Sequence, residues 1–326
     1  MTHSNLARGL GLVALVASSA VSVPSDGQDG ALLSELSLRE SDTRLSAAQP
    51  GSPGGGPEAM AFDGTSVWVG LQFSNTVARI GARDLAVATP IAVGERPTAI
   101  VAEPGGLWVA NLVGGNVVKL DPAGGAIVAR VELTDGPGGL AFDGKHIWVA
   151  HRTGKRVSKI DAASSRVLGS FSVGERPLGM AFDGRSVWVA NQHDDTVTRL
   201  DAASGKVLAT VAVGDGPFGV AFDGKSVWVS NYFGRSVTRL DTERGAPVGT
   251  FPVGDGAAGI TFEAGRIWVV NAGDSTLMEL DPATGKVINT FHTGRSPIGV
   301  VSDGERLWVS NSSSDSLSLL PLPRQP

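Results

Sequence analysis

Seven tryptophans stand at one interval: Trp68, Trp108, Trp148, Trp188, Trp228, Trp268 and Trp308, forty residues apart each time. Marks at a fixed period of this length belong to repeat architectures, in which one supersecondary unit is copied and stacked. The interval overrides the 326-residue length, which alone suggests two ordinary domains. Such a chain must place one element in one environment seven times.

The copy around Trp188 reads most clearly. Short runs rich in Val, Leu and Thr are broken about every ten residues by turn chemistry. Asp183-Gly184 is a tight-hairpin signal that recurs at Asp63-Gly64, Asp143-Gly144, Asp223-Gly224 and Asp303-Gly304. The stretch Asp201 to Gly205 supplies a second turn, with glycine for the left-handed position. Four strands follow: A near 179–182, B over 186–190, C over 196–200 and D over 206–213. On strand B, Val187 and Val189 point one way, and Trp188 and Ala190 point the other. Both faces are apolar, as a sheet covered on both sides requires. No 3.6-residue apolar period follows residue 57. The expected fold is all-β, a seven-bladed β-propeller with four antiparallel strands per blade. Tryptophan is expected to fill each gap between blades. Small residues at Ala99, Gly139, Gly179, Gly219, Gly259 and Gly299 suit strand A, where blades converge on the axis.

Closure follows from subtraction. Strands A, B and C occur seven times, but strand D occurs six times, near 86–93, 126–133, 166–173, 206–213, 246–253 and 286–293. From Pro57 to Pro326 there are 270 residues, ten fewer than seven full copies need. The tail from Pro321 is too short and proline-rich to supply the missing strand. Part of Ala31 to Pro50 is expected to complete the last blade, with Leu36 to Glu40 or Thr43 to Ala47 as candidates. Gly51 to Gly56 then serves as a flexible connector.

Before the repeats, Arg8 precedes an apolar run from Leu10 to Ala17 and the small residues Ser18, Ser19 and Ala20. This order describes a secretory signal peptide over residues 1–22, cleaved after Ala20 or Ser22. Residues 23–56 form an N-terminal segment and 57–326 the propeller, so the protein is expected to be exported, periplasmic or extracellular. The apolar run is too short to span a bilayer, and no later segment is long enough. With no cysteine there is no disulfide, thiol nucleophile, c-type haem attachment or iron–sulfur cluster. A net charge of -5 and a pI near 5.6 give no overall attraction to nucleic acid.

The strand wording has a familiar form. Val187-Trp188-Val189-Ala190-Asn191, the Thr196 to Asp201 strand and the Val213 to Phe222 link resemble the YVTN-type propeller repeat, with tryptophan in place of its tyrosine. That resemblance covers about residues 57–320 and implies a secreted binding scaffold. The chain also resembles, more distantly, the virginiamycin B (streptogramin) lyases. In those enzymes a histidine occupies a Pro-His-Gly link and a glutamate follows strand B. Here the first position holds Thr98, Gly138, Leu178, Phe218, Ala258 or Ile298. The second holds Leu71, Asn111, His151, Asn191, Asn231, Asn271 or Asn311, so the lyase pair is missing.

The copies can be compared with one another. The A–B and C–D turns are monotonous, whereas the B–C loops diverge, and antiparallel topology puts B–C loops and D–A links at one end. Fixed scaffold with varied side chains is the arrangement of a binding face. Phe73, Tyr232 and Phe233 supply stacking surface there, and Phe218 joins them from a D–A link. His151 and His193, with Asp194 and Asp195, use metal-ligand residue types on adjacent blades, but no ligand spacing supports a site, so no cofactor is expected and a divalent cation is the alternative. Glu95, Asp135, Glu175, Asp215 and Asp255 recur in the D–A links and are expected to cap turns or pair with Arg96, Arg176 and Arg295. The repeated asparagine after strand B is expected to bond turn backbone. Arg79, Lys119, Lys159, Arg199 and Arg239 on strand C are expected to lay aliphatic stems over the neighbouring blade.

These residues point to a non-enzymatic binding protein whose loop-end site comprises Phe73, Phe218, Tyr232, Phe233, His151 and His193. The expected partner is a protein, peptide, glycan or small molecule, bound by a monomeric chain. The alternative is a metal-dependent lyase or hydrolase of the streptogramin-lyase type.

Overall fold

Each copy folds into one four-stranded antiparallel sheet, and seven such sheets stand around a common axis. The computed structural model describes residues 34–37 and 55–322, and no helix occurs among them. Blade 4 shows the pattern, with strand A at Pro177–Phe182, B at Ser186–Asn191, C at Thr196–Asp201 and D at Val207–Ala212. The hairpin glycines Gly64, Gly144, Gly184, Gly224 and Gly304 take φ between 87° and 96°, the conformation the Asp-Gly turns require.

The tryptophans lie between blades. Trp188 packs with Val227, Val229 and Leu240 of the next blade, and Trp308 packs with Val67 and Val69 of the first, which closes the ring. Six of the seven are fully buried, and Trp268 is 3% exposed. Five of the indoles are also anchored by a turn aspartate of their own blade: in blade 4 the Asp183 carboxylate accepts from Trp188 Nε1 at 2.7 Å and from the Arg185 and Ser186 amides at 2.8 and 2.6 Å. The strand-C cations add a second tie between blades. Lys159 sits 5.2 Å from the Trp148 ring centre, and its ammonium donates to the Ala202 carbonyl of the next blade at 2.6 Å. Arg79 and Lys119 repeat that arrangement. The expectation is corrected in one respect: the charged heads lie over the tryptophan of their own blade and bond carbonyls of the next.

Near the axis, strand A meets the backbone of the next blade. A Cβ added at Gly219 would stand 2.7 Å from the Ala258 carbonyl oxygen, and one at Gly299 2.5 Å from that of Glu58. Glycine is needed there for room.

The missing strand comes from the N-terminal side. Ser34–Ser37 pairs antiparallel with Ser316–Pro321 in the register Ser34–Leu319, Glu35–Ser318, Leu36–Leu317 and Ser37–Ser316. It overlaps the Leu36 to Glu40 candidate at its first two residues; Thr43 to Ala47 and the signal segment lie outside the described residues. Strand D of blade 1 departs from expectation. Only Ile91–Ala92 pairs as a strand, with an isolated bridge between Ile80 and Val87. Pro90, which has no N–H to donate to a ladder, interrupts the run.

Candidate functional site

The loop end is a platform of backbone bonds carrying variable side chains. The residue after each strand-B terminus donates its N–H to the D–A link: Leu112 to Arg96 O at 2.9 Å, Gln192 to Arg176 O at 3.0 Å and Tyr232 to Gly216 O at 2.8 Å. Asp194 and Asp195 belong to this framework, accepting from the Glu175 and Gly216 amides at 2.7 and 2.8 Å. The asparagines ending strand B are fully buried beneath it. Asn191 Nδ2 donates to Thr196 Oγ1 at 3.0 Å and Thr198 Oγ1 at 2.8 Å, and Asn231 bonds Ser236 and Thr238 alike.

His151 takes the asparagine position in blade 3 and does the same work. It is fully enclosed, with Nδ1 at 2.6 Å from Thr134 O and Nε2 at 2.7 Å from Ser158 Oγ. Because a carbonyl only accepts, Nδ1 carries the proton and Nε2 accepts from the serine. Burial holds the ring below its ordinary pKa against the Thr134 bond, so it stays neutral. His193 is exposed, and its Nε2 lies 3.0 Å from an Arg176 guanidinium nitrogen. The two histidines are therefore not brought together. Among the described residues no three His, Asp or Glu side chains form a metal-binding group.

The aromatic residues divide. Phe218 and Tyr232 lie 5.8 Å apart between ring centres, and Phe233 meets Tyr232 edge-on at 5.3 Å. Tyr232 and Phe218 are half-buried, while Phe233 is 60% exposed. Phe73, 48% exposed, stands on blade 1 apart from this trio and covers Gly56.

The D–A acids find partners other than those expected. Asp135 pairs with Arg156 at 3.0 Å, Glu175 with Lys155 at 3.0 Å and Asp255 with Arg235 at 2.9 Å. The cations at the ends of the B–C loops are closer than the arginines of the links. Arg96 and Arg176 are thereby left to face inward, toward a cavity of about 670 Å³ that Arg152 and His193 also line.

One charged residue of this cavity, Arg152, and one beside it in the central channel, Glu58, are not among the residues expected from the sequence. Glu58 is the charged side chain at the second position of strand A, where the other blades carry Thr98, Gly138, Leu178, Phe218, Ala258 and Ile298. It lines a central channel of about 240 Å³ with Arg152 and Phe218. Burial pushes the Glu58 carboxyl up to about 6, against the pull of the Arg152 and Arg96 guanidiniums. Burial, then the charge of Arg176, hold Arg152 below its ordinary value, and Glu58 opposes them. Both residues are legible as the charged member of a column of otherwise uncharged counterparts.

A family model described as outer membrane protein assembly factor BamB matches residues 113–208 and 193–320. This is a different family from the YVTN-type repeat that the strand motifs resemble. Solved structures share the fold. Hydrazine synthase of Kuenenia stuttgartiensis aligns with a TM-score of 0.75 and 18% identity, over 86% of this chain and 99% of that one. The virginiamycin B lyase of Staphylococcus aureus aligns with a TM-score of 0.74 and 16% identity, over 89% and 99%. The Neurospora crassa Pan2 WD40 domain aligns at 0.70 and 14%, over 92% and 98%. No curated protein matches the chain significantly.

Proposed function

The chain belongs to the family described as outer membrane protein assembly factor BamB, and on that footing we propose that it is an exported, non-catalytic binding protein whose ligand face is the B–C and D–A loop end. The ligand is a protein or peptide, with glycans and small molecules the further classes to screen. One observation carries this reading: Phe218, Tyr232 and Phe233 form a contiguous aromatic platform at the channel mouth, with Phe233 largely in solvent. An exposed aromatic of this kind is an anchor looking for a partner, because burying its ring contributes several kcal/mol, roughly 150–250 Å² of area.

The enzyme alternative would recruit His151 and His193 around a divalent cation. The neutral, twice-bonded and enclosed His151 supports the binding reading instead. Screening the purified protein against peptide, glycan and small-molecule libraries tests the proposal. Tyr232→Ala and Phe233→Ala are expected to weaken a hit by about tenfold or more. A hit that both variants bind as tightly as the parent contradicts the assigned face.

A further inference from the structure

We propose that the cavity beside the channel mouth, between blades 2, 3 and 4, binds a small polyanion: a molecule presenting two or more carboxylate or phosphate groups. This deepens the reading of the loop end as a ligand face and rests on it. Three guanidiniums, those of Arg96, Arg152 and Arg176, line one cavity of about 670 Å³, a size suited to a small ligand.

The charge bookkeeping sets these three apart. The other cations of this end are matched: Arg156 by Asp135 and Arg235 by Asp255, and on the cavity's own wall Lys155 by Glu175, whose carboxylate is thereby engaged at 3.0 Å. Among the described residues the guanidiniums of Arg96 and Arg152 make no hydrogen bond or ion pair. Arg176 meets only the ring nitrogen of His193 at 3.0 Å, and its enclosed Nε–H has no acceptor. Glu58 is the carboxylate whose field reaches Arg152 and Arg96, from within the channel. Guanidiniums stay charged and offer forked donors that match carboxylate and phosphate oxygens two at a time. An anion seated among them would supply the missing acceptors and quench their mutual repulsion.

Backbone conformation gives an independent indication. The residue before each strand A is left-handed in all seven copies, with φ between 52° and 69°. Four copies use glycine there, at Gly56, Gly136, Gly216 and Gly256. Arg96 and Arg176 accept φ of 59° and 53° despite the penalty on a side chain in this region. The fold has no need of arginine at either position, whereas the cavity does.

Isothermal titration calorimetry of the purified protein with citrate and with pyrophosphate, at neutral pH and low salt, tests the site. At least one anion is expected to bind with a Kd below about 1 mM. Arg96→Gly and Arg176→Gly restore the residue that four other copies use, so they should melt no lower than the parent while binding about tenfold or more weakly. Glu58→Gln, which removes the facing negative charge, should bind more tightly. Citrate alone binding identifies carboxylate ligands, and pyrophosphate alone identifies phosphate ligands. The proposal is overturned if neither anion binds in that range, or if both arginine variants bind like the parent. A protein that takes a peptide through Tyr232 and Phe233 but no anion loses this site alone, and the loop-end reading stands.

Discussion

The indole Nε1 of Trp188 donates to Asp183 Oδ2 at 2.7 Å, so the ring that fills the gap between blades 4 and 5 is fastened to the hairpin turn of its own blade. The same bond joins Trp68 to Asp63, Trp148 to Asp143, Trp228 to Asp223 and Trp308 to Asp303 at 2.6–2.8 Å. One carboxylate thus satisfies both a turn and a buried donor. Removing it strands the indole N–H in the interior. Asp183→Ala is expected to cost about 1–3 kcal/mol, read as a lower urea midpoint. Trp188→Phe combined with Asp183→Ala should cost less than the two single changes added together, because the phenyl ring has no donor to strand.

Glycine at the axis makes a sharper contrast. Gly259→Ala places a Cβ 2.5 Å from the Ile298 carbonyl oxygen, a backbone atom that cannot move without moving a blade. Gly184→Ala meets nothing within 4 Å and suffers only its φ of 93°. Thermal melts are expected to show the first change as the more damaging, although the second sits at the more strained φ.

The borrowed strand leaves a testable edge. Deleting residues 31–50 removes Ser34–Ser37 and unpairs the outer side of Ser316–Pro321. Exposed strand edges invite pairing with other chains. A sharply lower melting temperature and concentration-dependent association are expected in light scattering. An unchanged melt would mean that the seventh blade closes without this strand.

Acid and base limbs of stability should separate by residue. Burial would raise the pKa of Asp63 and Asp143, but their bonds from the indoles of Trp68 and Trp148 and from turn amides outweigh it and hold both below the ordinary value. Their contribution is present above about 3.8 and is lost as pH falls through the depressed folded value. Glu58 runs the other way. Its pKa rises from 4.5 to about 6, so its stabilising effect is present below 4.5 and lost as pH climbs through 6. Urea midpoints should therefore show a decline of about 1–2 kcal/mol from pH 4.5 to 7 in the parent, discounted for partial exposure, and none of that decline in Glu58→Gln.

Architecture was legible because it repeats. Tryptophans at one spacing, Asp-Gly turns and a missing strand D led to seven blades and to a closing strand, Ser34–Ser37, that overlaps its candidate window at Leu36 and Ser37. The features that do not show in the sequence depend on the direction of a side chain rather than on its identity. His151 has the residue type of a ligand, yet it points inward between Thr134 and Ser158. The link acids choose Lys155, Arg156 and Arg235 because the B–C loops fold back over them, which a linear order of charges does not convey. Glu58 and Arg152 lie 94 positions apart in the chain, and only the closed ring sets them across one channel mouth.

The ligand face itself is tested most directly by hydrogen exchange on the protein with and without the strongest peptide from the library screen. Protection confined to the Phe218 link and the loop carrying Tyr232 and Phe233 is the outcome expected. Protection at the A–B and C–D turns, with the loop end unchanged, would place the ligand on the opposite end and contradict the account.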